Sequence, residues 1–164
     1  MLICAYTRKS TMNSKPPDAG IPPLPCTGAR LRKLTRRMTS FYEQRLRGIG
    51  LKLSQYSVLV SLSEDPQTLL QLADRLEMDR TTLTRSLRPL VASGWVAEAP
   101  GADARQRWLI LTGSGRRFRA RAQQAWSEAQ QALEAQLGRG FVGDLNAQLE
   151  RALSQLKPAL PEDN

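Results

Sequence analysis

Two short apolar stripes separated by a tight polar turn limit the possible folds of this chain more than any other feature. Within residues 69–94, apolar side chains recur at helical spacing on both sides of the turn, first at Leu72, Ala73 and Leu76 and then at Leu83, Leu87 and Leu90. Thr68 and Asp79 precede the two stripes, and both residue types accept hydrogen bonds from the free amides of a helix N-terminus. The segment therefore predicts two packed helices joined by a turn, a helix-turn-helix.

The second of these helices carries a polar face rich in arginine and threonine. The residues expected on this face are Arg80, Thr81, Thr82, Thr84, Arg85 and Arg88. Guanidinium groups bind guanine edges and phosphates, and threonine offers both a hydroxyl and a methyl group to bases. Such side chains at the start of a recognition helix predict DNA binding in a major groove. The alternative is a generic amphipathic helix pair whose charged face is only solvated.

Two short strands are predicted directly after the helix pair. Residues 95–99 and 108–112 are rich in apolar and β-branched or aromatic positions, and the charged segment 100–107 separates them. This pattern predicts a β-hairpin, or wing.

Helices are predicted on both sides of this region. The first covers residues 30–47 and ends at Gly48 and Gly50, and the next begins with Ser54 as its cap.

After the hairpin, a long helix opens at Ser114 and is broken by Gly138 and Gly140. A last helix begins with Asp144 as its cap. The complete order is four helices, a hairpin and two helices, which is a mostly α, winged helix-turn-helix fold.

Charge and composition narrow the possible functions. The net charge of +9 favours a polyanionic partner such as double-stranded DNA. The sequence has no histidine and only two cysteines, Cys4 and Cys26, and it shows neither a glycine-rich phosphate loop nor clustered carboxylates. We therefore expect no enzyme, no metal site and no cofactor. No apolar run approaches the ~20 residues that cross a bilayer, so we expect no membrane association and a cytoplasmic location.

The amino-terminal segment is rich in proline and glycine. These residues disfavour regular structure, so residues 1–29 are expected to form a flexible tail. Met12 is an alternative start, because residues 1–11 show no pattern of a folded element.

A more specific motif lies at the hairpin. Residues 103–115, DARQRWLILTGSG, resemble the wing signature of the MarR family of bacterial transcriptional regulators, which is Asp-x-Arg, a strand ending in Leu-Thr and a glycine that begins the long helix. The segments 72–76, LADRL, and 79–85, DRTTLTR, resemble the two DNA-binding helices of that family. The resemblance covers about residues 30–157 in the same order and spacing.

This resemblance implies an obligate homodimer built from a single domain, residues 30–164. Helices at about 30–47 and 113–157 would form the dimer interface, and residues 51–112 would form the DNA-binding lobe. Each lobe would place helix 80–92 in a major groove and its wing in the adjacent minor groove of a pseudo-palindromic operator. The implied function is a transcriptional regulator, expected to be a repressor, that an effector or thiol oxidation releases from DNA. The broad apolar faces of the last two helices also favour a partner chain.

Within the wing, Asp103 is expected to bind Arg105 and so to direct Arg105 and Arg107 toward phosphates or a narrow minor groove. The sequence departs from the family pattern at two positions. Ala104 stands where a second basic residue is common, and Glu77 stands where the turn often has glycine. With glutamate there, the turn closes without a left-handed residue or with some strain.

Cys26 is a candidate redox sensor, because some MarR-type regulators sense peroxides through a cysteine near the start of the first helix. It precedes a predicted helix and stands near Arg30 and Arg32, and this environment favours the reactive thiolate. Cys4 is a possible resolving partner. The alternative is an incidental thiol.

A small aromatic effector is the second candidate signal. Its pocket would lie between the dimer helices and the DNA-binding lobe, lined by Phe41, Tyr42, Arg45, Tyr56 and Trp126. Aromatic rings beside one arginine suit an aromatic acid or a phenol. Ordinary core packing is the alternative role for each of these residues.

The same patterns are also typical of a winged helix that binds proteins and not DNA. The two functions differ in salt-dependent DNA affinity, which only the regulator requires.

Overall fold

The computed structural model describes residues 26–101 and 107–156. Its helices are α1 (Thr27–Leu46), α2 (Leu53–Ser61), α3 (Leu69–Leu76), α4 (Arg80–Ala92), α5 (Gly113–Leu137) and α6 (Arg139–Gln155). A short 3-10 helix, Arg47–Ile49, follows α1. The strands are β1 (Gln67–Thr68), β2 (Val96–Pro100) and β3 (Arg107–Leu111). Across these described residues, every helix is too short or too polar to cross a membrane.

The chain divides into two compact units at Thr35. The described part of the first unit is the amino-terminal portion of α1, which begins at Thr27, inside the segment 1–29 that was predicted to be a tail. The amide groups of Ala29 and Arg30 donate to the carbonyl oxygen of Cys26, each at 3.2 Å, so Cys26 accepts the first hydrogen bonds of the helix. Residues 1–25 lie outside the described residues.

The second unit has a leucine-rich core beneath the helix-turn-helix. Leu83, Leu87 and Leu90 of α4 are buried, as their spacing predicts, together with Leu72 and Ala73 of α3. They pack in one cluster with residues of α2, the sheet and α5. Burial of this apolar surface holds the two helices of the pair in a fixed arrangement.

The wing is part of a three-stranded antiparallel sheet in the order β1-β3-β2. The β2–β3 hairpin pairs Val96 with Leu111 at one end and Pro100 with Arg107 at the other. The predicted strands are therefore present, shifted by about one residue. The two-residue strand β1 was not predicted, and it pairs Gln67 with Leu109.

The start of α5 is fixed by close contacts with the turn after α4. The Thr112 hydroxyl accepts from the amide of Gly115 at 3.0 Å and donates to the carbonyl oxygen of Gly94 at 2.8 Å. Thr112 is therefore the N-cap, and the prediction that Ser114 opens this helix is corrected, because Ser114 lies in the first turn. Gly115 packs so closely on Trp95 that a side chain there would overlap the Trp95 carbonyl oxygen.

Two other predicted helix starts are wrong. The N-cap of α2 is Lys52, whose amide donates to the Gln55 side chain at 3.0 Å, and the predicted cap Ser54 lies inside the helix. Asp144 also lies inside its helix, because α6 begins at Arg139. Gly138 alone separates α5 from α6, with a φ of 90°, and the second predicted breaker, Gly140, is helical.

A second apolar cluster lies between α1, α5 and α6. Tyr42, Ala129, Leu133 and Val142 are buried in it. Beyond this cluster, several apolar side chains of α5, of α6 and of the C-cap of α6 are exposed, namely Leu137, Phe141, Leu153 and Leu156.

Candidate nucleic-acid interface

The amino terminus of α4 is held by its predicted cap. Asp79 Oδ1 accepts a hydrogen bond from the Thr82 amide at 2.8 Å, which satisfies one of the free donors of the first turn. Hydrogen bonds from the Thr82 side chain, and then from backbone amides, lower the pKa of Asp79 below its ordinary value of 3.8. The carboxylate is therefore charged at neutral pH and complements the positive end of the helix.

All six polar residues predicted for DNA contact are exposed on α4. They are Arg80, Thr81, Thr82, Thr84, Arg85 and Arg88. Five of them, all except Thr82, line one shallow concave surface with a volume of about 430 Å³. The opposite face of α4 is buried through Leu83, Ser86, Leu87 and Leu90. The polar face is thus presented by a helix whose orientation the core fixes.

The first helix of the pair is also capped as predicted. The Thr68 hydroxyl oxygen accepts from the Gln71 amide at 3.2 Å, and the Gln71 side chain accepts from the Thr68 amide at 2.7 Å. This reciprocal capping box fixes the entry into α3.

The turn between α3 and α4 contains a left-handed glutamate. Glu77 has φ 49° and ψ 43°, and it is the one non-glycine residue with positive φ within the described segments. Its amide donates to the Asp74 carbonyl oxygen at 3.2 Å, which closes the helix end. The sequence allowed a turn without a left-handed residue or a turn with some backbone strain. The structure has the second form, because Glu77 is left-handed.

The described part of the wing contains one of the three residues predicted to act there. Arg107 donates to Glu98 across the hairpin at 2.8 Å, and the side chains are 71% and 37% exposed, respectively. Asp103 and Arg105 lie outside the described residues. The partner of Arg107 was not predicted, although opposite charges on paired strands were a visible signal.

A cleft of about 450 Å³ separates α4 from the wing. Its polar lining includes Thr84 and Arg88 from α4, and Glu98 and Arg107 from the hairpin. The cleft thus connects the two surfaces that were predicted to contact DNA.

The five predicted effector-pocket residues form two packed groups. Tyr56 and Trp126 stack with ring centroids 5.9 Å apart, and Tyr56 is buried in the core below the helix-turn-helix. The Arg45 guanidinium lies 3.7 Å from the centre of the Phe41 ring, which meets Tyr42 edge to face.

The pKa values of both tyrosines of the predicted pocket, Tyr42 and Tyr56, are raised. Burial, and secondarily the charge of Glu134, raises the pKa of Tyr42, while burial and then Tyr42 raise the pKa of Tyr56. These residues thus have core-packing roles in the described conformation.

Cys26 is exposed and immediately precedes α1. Its position at the start of a helix agrees with the sequence prediction. Its proposed resolving partner, Cys4, lies outside the described residues.

Comparisons with known proteins identify the same segment. Residues 49–106 match a family model described as the MarR family. A protein of Bacillus subtilis (strain 168), described as the uncharacterized HTH-type transcriptional regulator YwoH, is 34% identical over 70 residues. That match covers 42% of this chain and 51% of the relative, so the matched segment spans about half of that protein.

Solved structures match a larger part of the chain. Wild-type MarR of E. coli in its apo form has a TM-score of 0.64 and 25% identity, over 79% of this chain and 98% of that one. A mutant E. coli MarR complexed with operator DNA has a TM-score of 0.67 and 26% identity, and the match covers 77% of this chain and 92% of that one. A transcriptional repressor, CouR, bound to a 23-mer DNA duplex has a TM-score of 0.70 and 25% identity, and the match again covers 77% of this chain and 92% of that one. The predicted winged helix-turn-helix fold is thereby confirmed.

Proposed function

The chain belongs to the MarR family of transcriptional regulators, and from this premise we propose that it binds a pseudo-palindromic DNA operator as a homodimer. Family members are DNA-binding regulators and not enzymes, in agreement with the prediction from composition. Of the three solved structures described above, two contain bound DNA, and one of these two is called a repressor. We propose the repressor role for this chain as well.

The exposed polar face of α4 is the observation that carries the DNA-binding proposal. Six arginine and threonine side chains project from one helix whose other face is buried, so they meet a groove without rearrangement of the fold. Arg85 and its neighbours would contact base edges and phosphates in the major groove. The wing, through Arg105 and Arg107 with Asp103, would contact the adjacent minor groove.

Exposed apolar side chains support the dimer. Phe141 is 58% exposed, Leu153 62% and Leu156 71%, all on the helical region that follows the wing. Apolar surface of this kind is favourably covered by a second copy of the chain. A two-fold dimer would then present two α4 helices to consecutive turns of the duplex.

Selection of bound sequences from a pool of random duplexes tests this proposal. We expect enrichment of two inverted half-sites whose centres lie about one helical turn apart, roughly 10 base pairs. Recovery of no enriched sequence, together with no salt-dependent affinity for the pool, would instead favour a winged helix that binds proteins.

We also propose that Cys26 oxidation releases the operator, since this thiol is exposed at a helix N-terminus. Peroxide should release wild-type protein from the selected operator, and Cys26→Ser should bind equally well but resist release. If peroxide does not affect wild-type binding, oxidation has no role.

A small aromatic acid or phenol is the alternative signal. It would bind near Phe41, Tyr42, Arg45, Tyr56 and Trp126 by displacing part of their mutual packing. Salicylate, as a simple probe, should weaken operator binding by wild-type protein and less so by Arg45→Gln; equal effects on both would exclude Arg45 from the pocket.

A further inference from the structure

Two arginines, one from α3 and one from α5, donate to the carboxyl terminus of α2. Arg75 of α3 donates from Nη1 to the carbonyl oxygen of Ser61 at 2.8 Å. Arg119 of α5 donates from Nη1 to the carbonyl oxygen of Leu62 at 2.9 Å. Ser61 is the last residue of α2 and Leu62 is its C-cap. Carbonyl groups at a helix C-terminus lack intrahelical partners and carry partial negative charge, so guanidinium groups are favourable donors there.

Arg119 makes a second contact with the segment that leads into the helix-turn-helix. Its Nη2 atom donates to the Glu64 carboxylate, which also lies 3.7 Å from Nη1 of Arg116. The Arg119 side chain is only 18% exposed, so its contacts are screened less than those of surface ion pairs. Arg116 in turn donates to the carbonyl oxygen of Leu111, at the end of β3, at 3.0 Å.

These contacts form a continuous connection between α5 and the helix-turn-helix. The connection runs from α5 through Arg119 to the end of α2, and from there through Arg75 to α3. A charged hydrogen bond to a fixed carbonyl restrains both distance and direction. The two guanidinium groups and the two carbonyl oxygens that they bind therefore limit rotation of the helix-turn-helix against α5.

We propose that Arg119 and Arg75 are positioning residues that set the half-site spacing accepted by the protein. This inference rests on the proposed function, in which α5 and α6 form the dimer interface. The orientation of each α4 against its own α5 then sets the distance between the two recognition helices. The role of Arg119 is exerted through the end of α2 and requires no contact with DNA.

The test compares operators that share the selected half-sites but differ in spacer length by single base pairs. Wild-type protein should bind best at one spacing and lose affinity on either side. In Arg119→Gln, the ratio of affinities between the best spacing and its neighbours should fall about fivefold or more, in the range typical of coupling between sites. The base preference within each half-site should stay unchanged, since α4 is intact.

Arg117→Gln is the matched control, because Arg117 is an exposed arginine of the same helix and the substitution removes the same charge. It should leave the spacing preference unchanged even if overall affinity falls. Circular dichroism establishes that each variant is folded, and Arg75→Gln provides the same test from the other side of α2, with the same expected loss of preference.

An unchanged spacing preference in folded Arg119→Gln or Arg75→Gln protein would overturn the inference while leaving the proposed function intact. Absence of DNA binding by the wild-type protein would refute the proposed function itself. The two failures are therefore distinguishable.

Discussion

Asp79 shows how one side chain prepares α4 for its proposed role. Its carboxylate accepts from the Thr82 amide, and it leaves the arginines of the helix free to point outward. The charged carboxylate also complements the positive end of the helix dipole.

The lowered pKa of Asp79 predicts a pH-dependent contribution to stability. A carboxyl group with a depressed pKa in the folded state stabilises the protein above its ordinary value of 3.8, and this contribution disappears as the pH falls through the folded-state value. Wild-type protein should therefore be more stable than Asp79→Asn at neutral pH, and the difference should shrink as the pH falls below 3.8. Urea unfolding across this range measures the difference; a difference that is constant with pH would contradict the account.

Gly115 is predicted to be intolerant of any side chain. A methyl group there would overlap the Trp95 carbonyl oxygen and lie 2.9 Å from Cδ1 of Leu111. Gly115→Ala should lower the free energy of unfolding by about 3 kcal/mol, the upper part of the range for overpacked sites. Gly113→Ala is the control, since its added methyl would come no nearer than 3.9 Å to the arginine side chains beside it. Equal stability of the two variants in urea would refute this packing argument.

At the scale of elements, α4 is the helix on which specificity should depend. Arg85→Ala should weaken binding to the selected operator by about 1–3 kcal/mol, the usual contribution of a bidentate arginine contact to a base. Anisotropy titrations with operator and random duplex measure the effect. Arg151→Ala, an exposed arginine of α6, should leave both affinities nearly unchanged. An equal loss on operator and random DNA would show that Arg85 contacts only phosphate.

The helix-turn-helix was predictable because its signals are local. Thr68 and Asp79 cap helices whose apolar stripes follow within one turn, and both predictions are confirmed. Ser54 and Asp144 are equally good caps by residue type, yet the helices start earlier, at Leu53 and Arg139. Residues 140–143 of α6 include two glycines, which disfavour a helix, so their residue types do not explain the earlier start. Val142 is buried there in the second apolar cluster, and this packing stabilises the first turn of the helix.

Contacts between distant segments were not predictable from local patterns. Strand β1 has only two residues, which is too short for any alternation, and it exists because Gln67 pairs with Leu109. In the sequence, nothing distinguishes Arg119 from the other arginines of α5. Only the fold places the carbonyl oxygen of Leu62 beside it. A backbone carbonyl has no signature in sequence, so such positioning residues emerge only from the fold.

At the scale of the whole molecule, dimerisation should depend on the exposed apolar residues near the start of α6. Phe141→Glu should raise the dimer dissociation constant about tenfold or more, because a charge would replace an aromatic side chain at the interface. Analytical ultracentrifugation measures this constant. Leu70→Glu, which changes an exposed leucine of α3, is the control and should dimerise normally. A strictly monomeric wild-type protein would contradict the proposed assembly.

The net charge of the whole protein affects how salt-dependent DNA binding is interpreted. Because the net charge is +9, exposed arginines anywhere on the protein are expected to attract DNA in a salt-dependent way. Salt-dependent binding alone therefore does not identify the helix that contacts DNA. Removal of charge from α4 alone separates the proposed interface from the general field of the molecule.

The most direct measurement is therefore the salt dependence of duplex binding by wild-type protein and by a variant with Arg80→Gln, Arg85→Gln and Arg88→Gln together. For wild type, the logarithm of the association constant should fall linearly with the logarithm of salt concentration, with a slope of about −0.9 for each phosphate contacted. The variant should bind more weakly and with a clearly smaller slope. No salt-dependent binding by wild type, or the same affinity and slope for both proteins, would contradict the claim that α4 is the DNA-binding element.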